Sequence, residues 1–208
     1  MTPLNLIVVA KRPVAGRVKT RLCPPLTHDE AARLAAAALS DTIRSVTAAS
    51  AARRVLAFDA DPLDWLPPGW EWTPQPDGDL DERLVAAFAY ARGPAFLVGM
   101  DTPQVTPALL TTFDPVHYDA CLGLSPDGGY WGIGFADPAQ AVHIRGVRMS
   151  RADTGAAQLA RLRAAGLRVQ MLPPLLDVDT IDSAIDVARA APATQFAVTM
   201  RSLIEDAA

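Results

Sequence analysis

Short, continuous apolar runs alternate along this chain with longer segments of helical period. LNLIVVA (4–10) and AFLVGMD (95–101) place apolar side chains at consecutive positions, so both faces of each run need cover. That is the pattern of interior strands in a parallel sheet sandwiched by helices. RRVLAFDA (53–60), YDACLGL (118–124), YWGIGF (130–135) and LRVQMLP (167–173) are further strand candidates, and WEWTP is a short one. Between them, Thr27 to Glu30 is a capping box that opens an Ala/Leu-rich helix running to about Ala51. GDLDERLVAAFAYARG (78–93) has acids in its first turn and arginine and glycine at its end, and predicts a second helix. TPALLTTF (106–113) predicts a short helix with Pro107 in its first turn. A helix over 152–165 ends at Gly166, the segment 177–191 turns from a strand into a helix capped by Thr180, and the tail to Ala208 reads as helical. DPLDWLPPGW (61–70) is a proline-broken connection. This order predicts an α/β sandwich with a mostly parallel sheet, one or two strands near 118–135 running antiparallel. The 208 residues suit one domain spanning 1–208.

Ligands of such sheets sit beyond the carboxyl ends of the strands. The loops that begin at Lys11, Asp101 and Asp177 therefore matter most. The first, in AKRPVAGRVKTRL (10–22), carries five cations with no acid before Asp29, although the chain has a formal net charge of −4. Of the 19 basic residues only Lys11 and Lys19 are lysines, and both lie in this loop. Random placement would put both among these five cations about 6% of the time. A compact point charge on a flexible stem is thus favoured there over a planar fork. Gly16 lets the backbone approach a phosphate, and Lys19 and Arg21 can make charge-assisted hydrogen bonds to a di- or triphosphate. GRVKT only half-imitates a P-loop: Val18 stands where glycine must precede Lys-Thr, and the first glycine is missing. A single glycine also rules out the dinucleotide fingerprint. The competing reading is a solvated basic turn.

Asp101 ends an apolar strand and can either hold a hard cation or cap the adjoining turn. Asp177 and Asp179 in DVDT can complete such a metal site or simply open the next helix. Asp127 in SPDGGYW sits before Gly128 and Gly129, which fits an ordinary hairpin or a close approach of ligand to backbone. His28, His117 and His143 have no mutual spacing for a metal site or triad, and Ser125 and Ser150 lie in no nucleophile elbow, so hydrolysis finds no support. Cys23 and Cys121 form no pair motif and are expected reduced, with Cys121 in the core. The weak negative charge gives no reason to expect nucleic-acid or membrane-surface binding. The start of the chain lacks a charged n-region and a cleavage site, and no run approaches a membrane span, which predicts a cytoplasmic protein.

Taken together, VVAKRPVAGRVKTRLCPPL, QPDGDLDERL, GMDTPQVTPALL, SPDGGYWGIGF and DVDTIDSA resemble a bacterial family of uncharacterised domains in the nucleotide-diphospho-sugar transferase (GT-A) superfamily. That family is labelled CofC-like after its similarity to 2-phospho-lactate guanylyltransferase. The match runs from about residue 4 to 190. The resemblance implies a three-layer α/β/α GT-A fold with a nucleotide along the first strand and its loop, at Ala10, Lys11 and Gly16. It implies Mg²⁺ or Mn²⁺ on Asp101 and Asp179, a triphosphate grip by Lys19 and Arg21, and site-lining roles for Gln75 and Asp79. Asp127, Gly128, Gly129, Tyr130 and Ser150 fall on the expected acceptor side. Two departures lie there. The relatives' Trp-Ser-Thr segment is replaced by VRMSRADTG, which keeps Ser150 without the tryptophan, and Pro126 precedes Asp127 in place of an acidic or small residue.

Two reactions share such a scaffold. A nucleotidyltransferase moves NMP from an NTP to a small phosphorylated acceptor; a glycosyltransferase moves a sugar from a nucleotide-diphospho-sugar. The second usually holds its metal through an Asp-x-Asp pair, and here Asp101 is followed by Thr-Pro. Five cations suit a triphosphate, which favours nucleotidyl transfer. A non-catalytic nucleotide-binding module is the remote third reading. The tail after Ala191 can cover the sheet or form a homodimer contact, and its residues leave both open.

Overall fold

Leu4–Ala10 forms an interior strand, β1, and its side chains show why the run is apolar throughout: Ile7 and Val8 point to opposite faces and both are completely buried. Burying one such side chain contributes about 1.5–3 kcal/mol. The computed structural model describes residues 3–60 and 65–205. Around β1 it places β2 (Ala51–Phe58), β3 (Glu71–Pro74), β4 (Ala95–Gly99), β5 (Ala120–Leu124), β6 (Tyr130–Phe135) and β7 (Val169–Leu172). They make a seven-stranded sheet of order β3-β2-β1-β4-β6-β5-β7. Strand β6 runs antiparallel to both neighbours, β4 and β5, while the other pairings are parallel. The expected antiparallel exception is therefore a single strand, and SPDGG is the hairpin that creates it.

Helices cover both faces. On one lie α1 (His28–Ala48) and the short α3 (Pro107–Leu110), packed over Leu6, Val8, Leu56, Phe96 and Val98. On the other lie α2 (Leu80–Phe88) and α4 (Thr154–Ala164), over Ile7, Val55, Leu97, Leu122 and Ile133. A 3-10 helix over Pro138–Ile144, which sequence pattern does not announce, packs beside α2 on this second face; Asp137 accepts from the Ala139 amide at 3.0 Å to start it. The three-layer GT-A arrangement thus holds. The connection expected over 61–70 lies partly outside the described residues, and so does the end of the tail beyond Glu205.

Most boundaries tighten because caps fall inside the predicted segments. Helix α2 starts only after Asp79, whose backbone N–H donates to Glu82 Oε2 at 3.4 Å. The segment 177–191 becomes helical only at α5 (Ile181–Ala190), where the Thr180 hydroxyl accepts from the Ser183 amide at 3.3 Å. The tail forms α6 (Gln195–Glu205) and covers α1 and α5, not the sheet. Its first amides find their acceptor on another element: buried Asp41 of α1 accepts from Gln195 N at 3.0 Å and Phe196 N at 2.7 Å, and pairs with Arg44. A carboxylate at a helix N-terminus is the favourable sign. No helix among the described residues is long and apolar enough to cross a membrane.

Candidate nucleotide site

The carboxyl ends of β1 and β4 and the amino end of the antiparallel β6 open into a cavity of about 680 Å³. The basic loop enters it from β1. Gly16 adopts a φ of +74°, which turns the loop back, with Arg17 N donating to Val14 O at 3.0 Å. Val18 is buried and Leu22 completely so; these two apolar residues pin the loop to the core between its cations. The residue that breaks the P-loop pattern is thus an anchor. Lys19 takes a left-handed φ of 50° at the start of the 3-10 turn Thr20–Leu22, and its ammonium turns inward, with 10% of its side chain exposed. Its Nζ lies 2.6 Å from Asp101 Oδ1 and also donates to the Val178 carbonyl. Arg21, more exposed, pairs with Asp179. The DVDT loop is tied to the end of β4 by Val178 N donating to Asp101 O at 2.9 Å. One lysine therefore stitches the loops after β1, β4 and β7, the three that strand polarity singles out.

Facing Lys19 is a group of acids. Asp177 is half-buried, and its carboxyl is pushed up to about 6. Burial is the main cause, and the charges of Asp127 and Asp101 add to it, while Lys19 opposes them. Asp177 Oδ1 is buried without a hydrogen-bond partner among the described residues. Among those residues no group of three or more His, Cys, Asp or Glu converges as a metal cage. Mg²⁺ commonly uses only one or two carboxylates and completes its shell with substrate phosphates and water. A free, buried carboxylate oxygen beside Asp101, in a cluster already holding an ammonium, fits that mode. Asp179 is the more solvent-facing DVDT acid and is engaged by Arg21, whereas Asp177 carries the free oxygen.

Of the expected site residues, Ala10, Lys11, Lys19, Arg21, Gln75, Asp101, Asp127, Gly129, Tyr130, Ser150 and Asp179 line the cavity. Gly16, Asp79 and Gly128 do not: Gly16 turns the loop, Asp79 precedes α2, and Gly128 faces α4. The DGG turn is decided by that last contact. A Cβ on Gly128 would lie 1.9 Å from the Ala152 carbonyl oxygen, at a φ of +94°. Gly155 N donates to Gly128 O at 2.7 Å, so the hairpin docks against the first turn of α4. Glycine at 128 is needed for backbone-to-backbone docking, not for a ligand. Asp127 Oδ1 closes the turn by accepting from Gly129 N at 2.8 Å. Tyr130 is largely buried; burial and the Asp81 charge push its hydroxyl up, so it is a neutral donor, 3.8 Å from Met149 Sδ.

Gln75 lines the cavity but is committed to the fold. Its Nε2 donates to Ala10 O at 2.8 Å and Ala57 O at 2.9 Å, tying the ends of β1 and β2. The cavity also gathers residues that motif reading passed over: Arg83, Thr102, Met149 and Arg151. Arg83 had a readable signal. Leu80, Arg83 and Leu84 stand at helical spacing on one face of α2. Thr102 had none; its buried hydroxyl has no partner among the described residues.

Several solved structures share the fold of this chain. A candidate nucleotide-diphospho-sugar transferase from Desulfovibrio desulfuricans G20 is 27% identical and superposes with a TM-score of 0.83, covering 97% of each chain. The 2-C-methyl-D-erythritol 4-phosphate cytidylyltransferase of Thermus thermophilus is 14% identical, with a TM-score of 0.58 over 92% of this chain and 100% of its own. Rv0371c of Mycobacterium tuberculosis, solved as a complex with manganese, is 21% identical, with a TM-score of 0.50 over 89% and 98%. At these identities the latter two show the fold alone. No curated protein is close enough to count as a match. Residues 33–151, more than half of the chain, match the family described as "Uncharacterized protein conserved in bacteria (DUF2064)", and the protein belongs to that family.

Proposed function

We propose that the chain acts as one nucleotide-binding domain and is a metal-dependent nucleotidyltransferase, moving NMP from an NTP to a small phosphorylated acceptor. The observation that carries this reading is the apposition of cations and acids across one cavity. Lys11, Arg17, Lys19 and Arg21 line it from the β1 loop, while Asp101, Asp127 and Asp177 line it from the loops after β4, β5 and β7. That set matches a polyphosphate on one side and a divalent cation, Mg²⁺ or Mn²⁺, on the other. Asp101 and Asp177 are the carboxylates placed to hold the cation, with Asp179 keeping Arg21 in place. Once bound, the cation neutralises phosphate charge and aligns the in-line displacement.

The chain's own residues supply position and charge. Lys19 and Arg21 hold the β- and γ-phosphates, and Gly16 and Val18 fix the loop that presents them. An acceptor phosphate oxygen forms a bond to the α-phosphorus as the bond to the bridging α–β oxygen breaks. Pyrophosphate leaves with the electron pair, and the two cations offset its charge. Ser150 and Arg151, on the approach to α4, line the remaining side for the acceptor. Glycosyl transfer from a nucleotide-diphospho-sugar is the second reading, supported by the Desulfovibrio relative's description. A thermal-shift panel with Mg²⁺ separates the two. Stabilisation by one NTP, lost in Lys19→Ala, supports nucleotidyl transfer; stabilisation by UDP- or GDP-sugars alone overturns it.

A further inference from the structure

The α2 end of the cavity holds a cation that the phosphate grip does not use. Arg83 lines this end together with Val9, Leu80, Leu84 and Leu97. Its Nη1 donates to Gln75 Oε1 at 3.2 Å, its Nε is buried with no acceptor, and it pairs with no carboxylate among the described residues. A guanidinium has five N–H donors in a rigid fork. One is used here, and an apolar surround makes the others costly to leave unmade. Gln75 is the reverse case: both donors go to Ala10 and Ala57 carbonyls, and its oxygen takes Arg83. Gln75 therefore has no free donor for a ligand, and Arg83 does.

We infer that Arg83 reads the base of the bound nucleotide, and that the base is guanine or cytosine. This rests on the nucleotide site proposed above. Gln75 holds Arg83 against the end of β1, where Ala10 leads into the phosphate loop. Gln75 bridges the ends of β1 and β2, whereas Lys19 reaches Asp101 after β4 and Val178 after β7, so the phosphates at Lys19 and the base at Arg83 fall on opposite sides of the β1 end. The acceptor has separate lining across the cavity, at Ser150 and Arg151. Paired donors need an edge with two adjacent acceptors. Guanine offers O6 and N7, and cytosine offers O2 and N3. Adenine puts its amino group beside each ring acceptor, and uracil puts N3–H between its two carbonyls. The flanking leucines and Val9 give the base faces an apolar slot.

Isothermal titration calorimetry of the full chain with Mg²⁺ tests this, using GTP, CTP, ATP, UTP and inorganic tripolyphosphate. The tightest ligand is GTP or CTP, ahead of ATP and UTP by roughly 10- to 100-fold, the range of one good bidentate base contact. Arg83→Ala levels that ranking and leaves tripolyphosphate affinity unchanged, whereas Lys19→Ala removes tripolyphosphate binding. Arg83→Lys keeps the stem and charge, so its unliganded melting temperature stays at the wild-type value while the ranking still collapses. ATP or UTP as the tightest ligand, or a ranking that survives both Arg83 substitutions, overturns the assignment and leaves the phosphate grip standing. Failure of tripolyphosphate and of every NTP to bind the wild-type chain overturns the nucleotide site itself.

Discussion

Replacing Lys19 by methionine keeps the stem and removes the charge, and the structure sets both the sign and the size of the effect. The ammonium lies 2.6 Å from Asp101 Oδ1, with side chains 10% and 46% exposed. Coulomb's law at that separation gives roughly 6 kcal/mol at an effective dielectric of 20 and roughly 1.6 kcal/mol in bulk water. Asp101 is nearly half in water, and desolvation of the ammonium opposes the attraction, so the lower part of that range applies. The Val178 carbonyl also loses its donor. The expected loss is about 1–2 kcal/mol, or roughly 2–8 °C in Tm for a chain of this size. The metal response moves the opposite way. Without the ammonium, Asp101, Asp127 and Asp177 repel one another unscreened. Mg²⁺ then stabilises Lys19→Met more than it stabilises the wild type, while tripolyphosphate stabilises it less. Urea denaturation and thermal melts, each with EDTA or Mg²⁺, read both effects. A variant with wild-type stability and a wild-type metal response would show that Lys19 does not neutralise this cluster, and the phosphate grip would lose its central residue.

Gly128→Ala places a Cβ against the Ala152 carbonyl at a left-handed φ, and is expected to cost about 2–4 kcal/mol in urea denaturation. Gly129→Ala, whose Cβ would meet only the movable Asp127 carboxylate at 3.2 Å, costs less than half as much; equal costs refute the docking account of the DGG turn. Asp119 is held at about 2 by the Arg168 side chain and backbone, which link the start of β5 to β7. A depressed carboxyl adds stability that is complete above its unfolded value near 4 and is lost as pH falls toward 2. This solvent-screened increment is small and salt-sensitive. Chemical denaturation between pH 5 and pH 2 should show it in the wild type and lack it in Asp119→Asn, and an unchanged acid limb in that variant refutes the pairing.

The layers were legible because burial on both faces writes itself into consecutive positions. Ile7 and Val8 could not both be apolar on a half-exposed strand, and the capping residues Thr27 and Thr180 mark where α1 and α5 begin. The basic loop was legible by charge and by place. The features that stayed hidden depend on contacts far apart in sequence. Nothing near residue 195 says that α6 is capped, because its cap is Asp41, 154 residues earlier. The DGG turn has a sufficient local explanation as a hairpin, so the docking of Gly128 on Ala152 leaves no further mark.

The same limit governs the cavity, and it redistributes roles among the motif residues that line it. Motif reading names the residue type best suited to a ligand, but not whether its hydrogen bonds are already spent. Gln75 is an amide at a strand end to which the family resemblance gives a site-lining role, yet its two donors close the gap between β1 and β2. Arg83, eight residues on, looks like a surface arginine and keeps donors free inside the cavity. Asp179 and Asp177 divide in the same way: one is matched by Arg21, and the other keeps an oxygen with no partner. In both pairs the satisfied member builds the cavity wall and the unsatisfied member keeps hydrogen-bonding capacity unspent. Buried polar groups are costly to leave unpartnered, so a pair of them converging on one cavity points to ligand chemistry more directly than the motif that contains them.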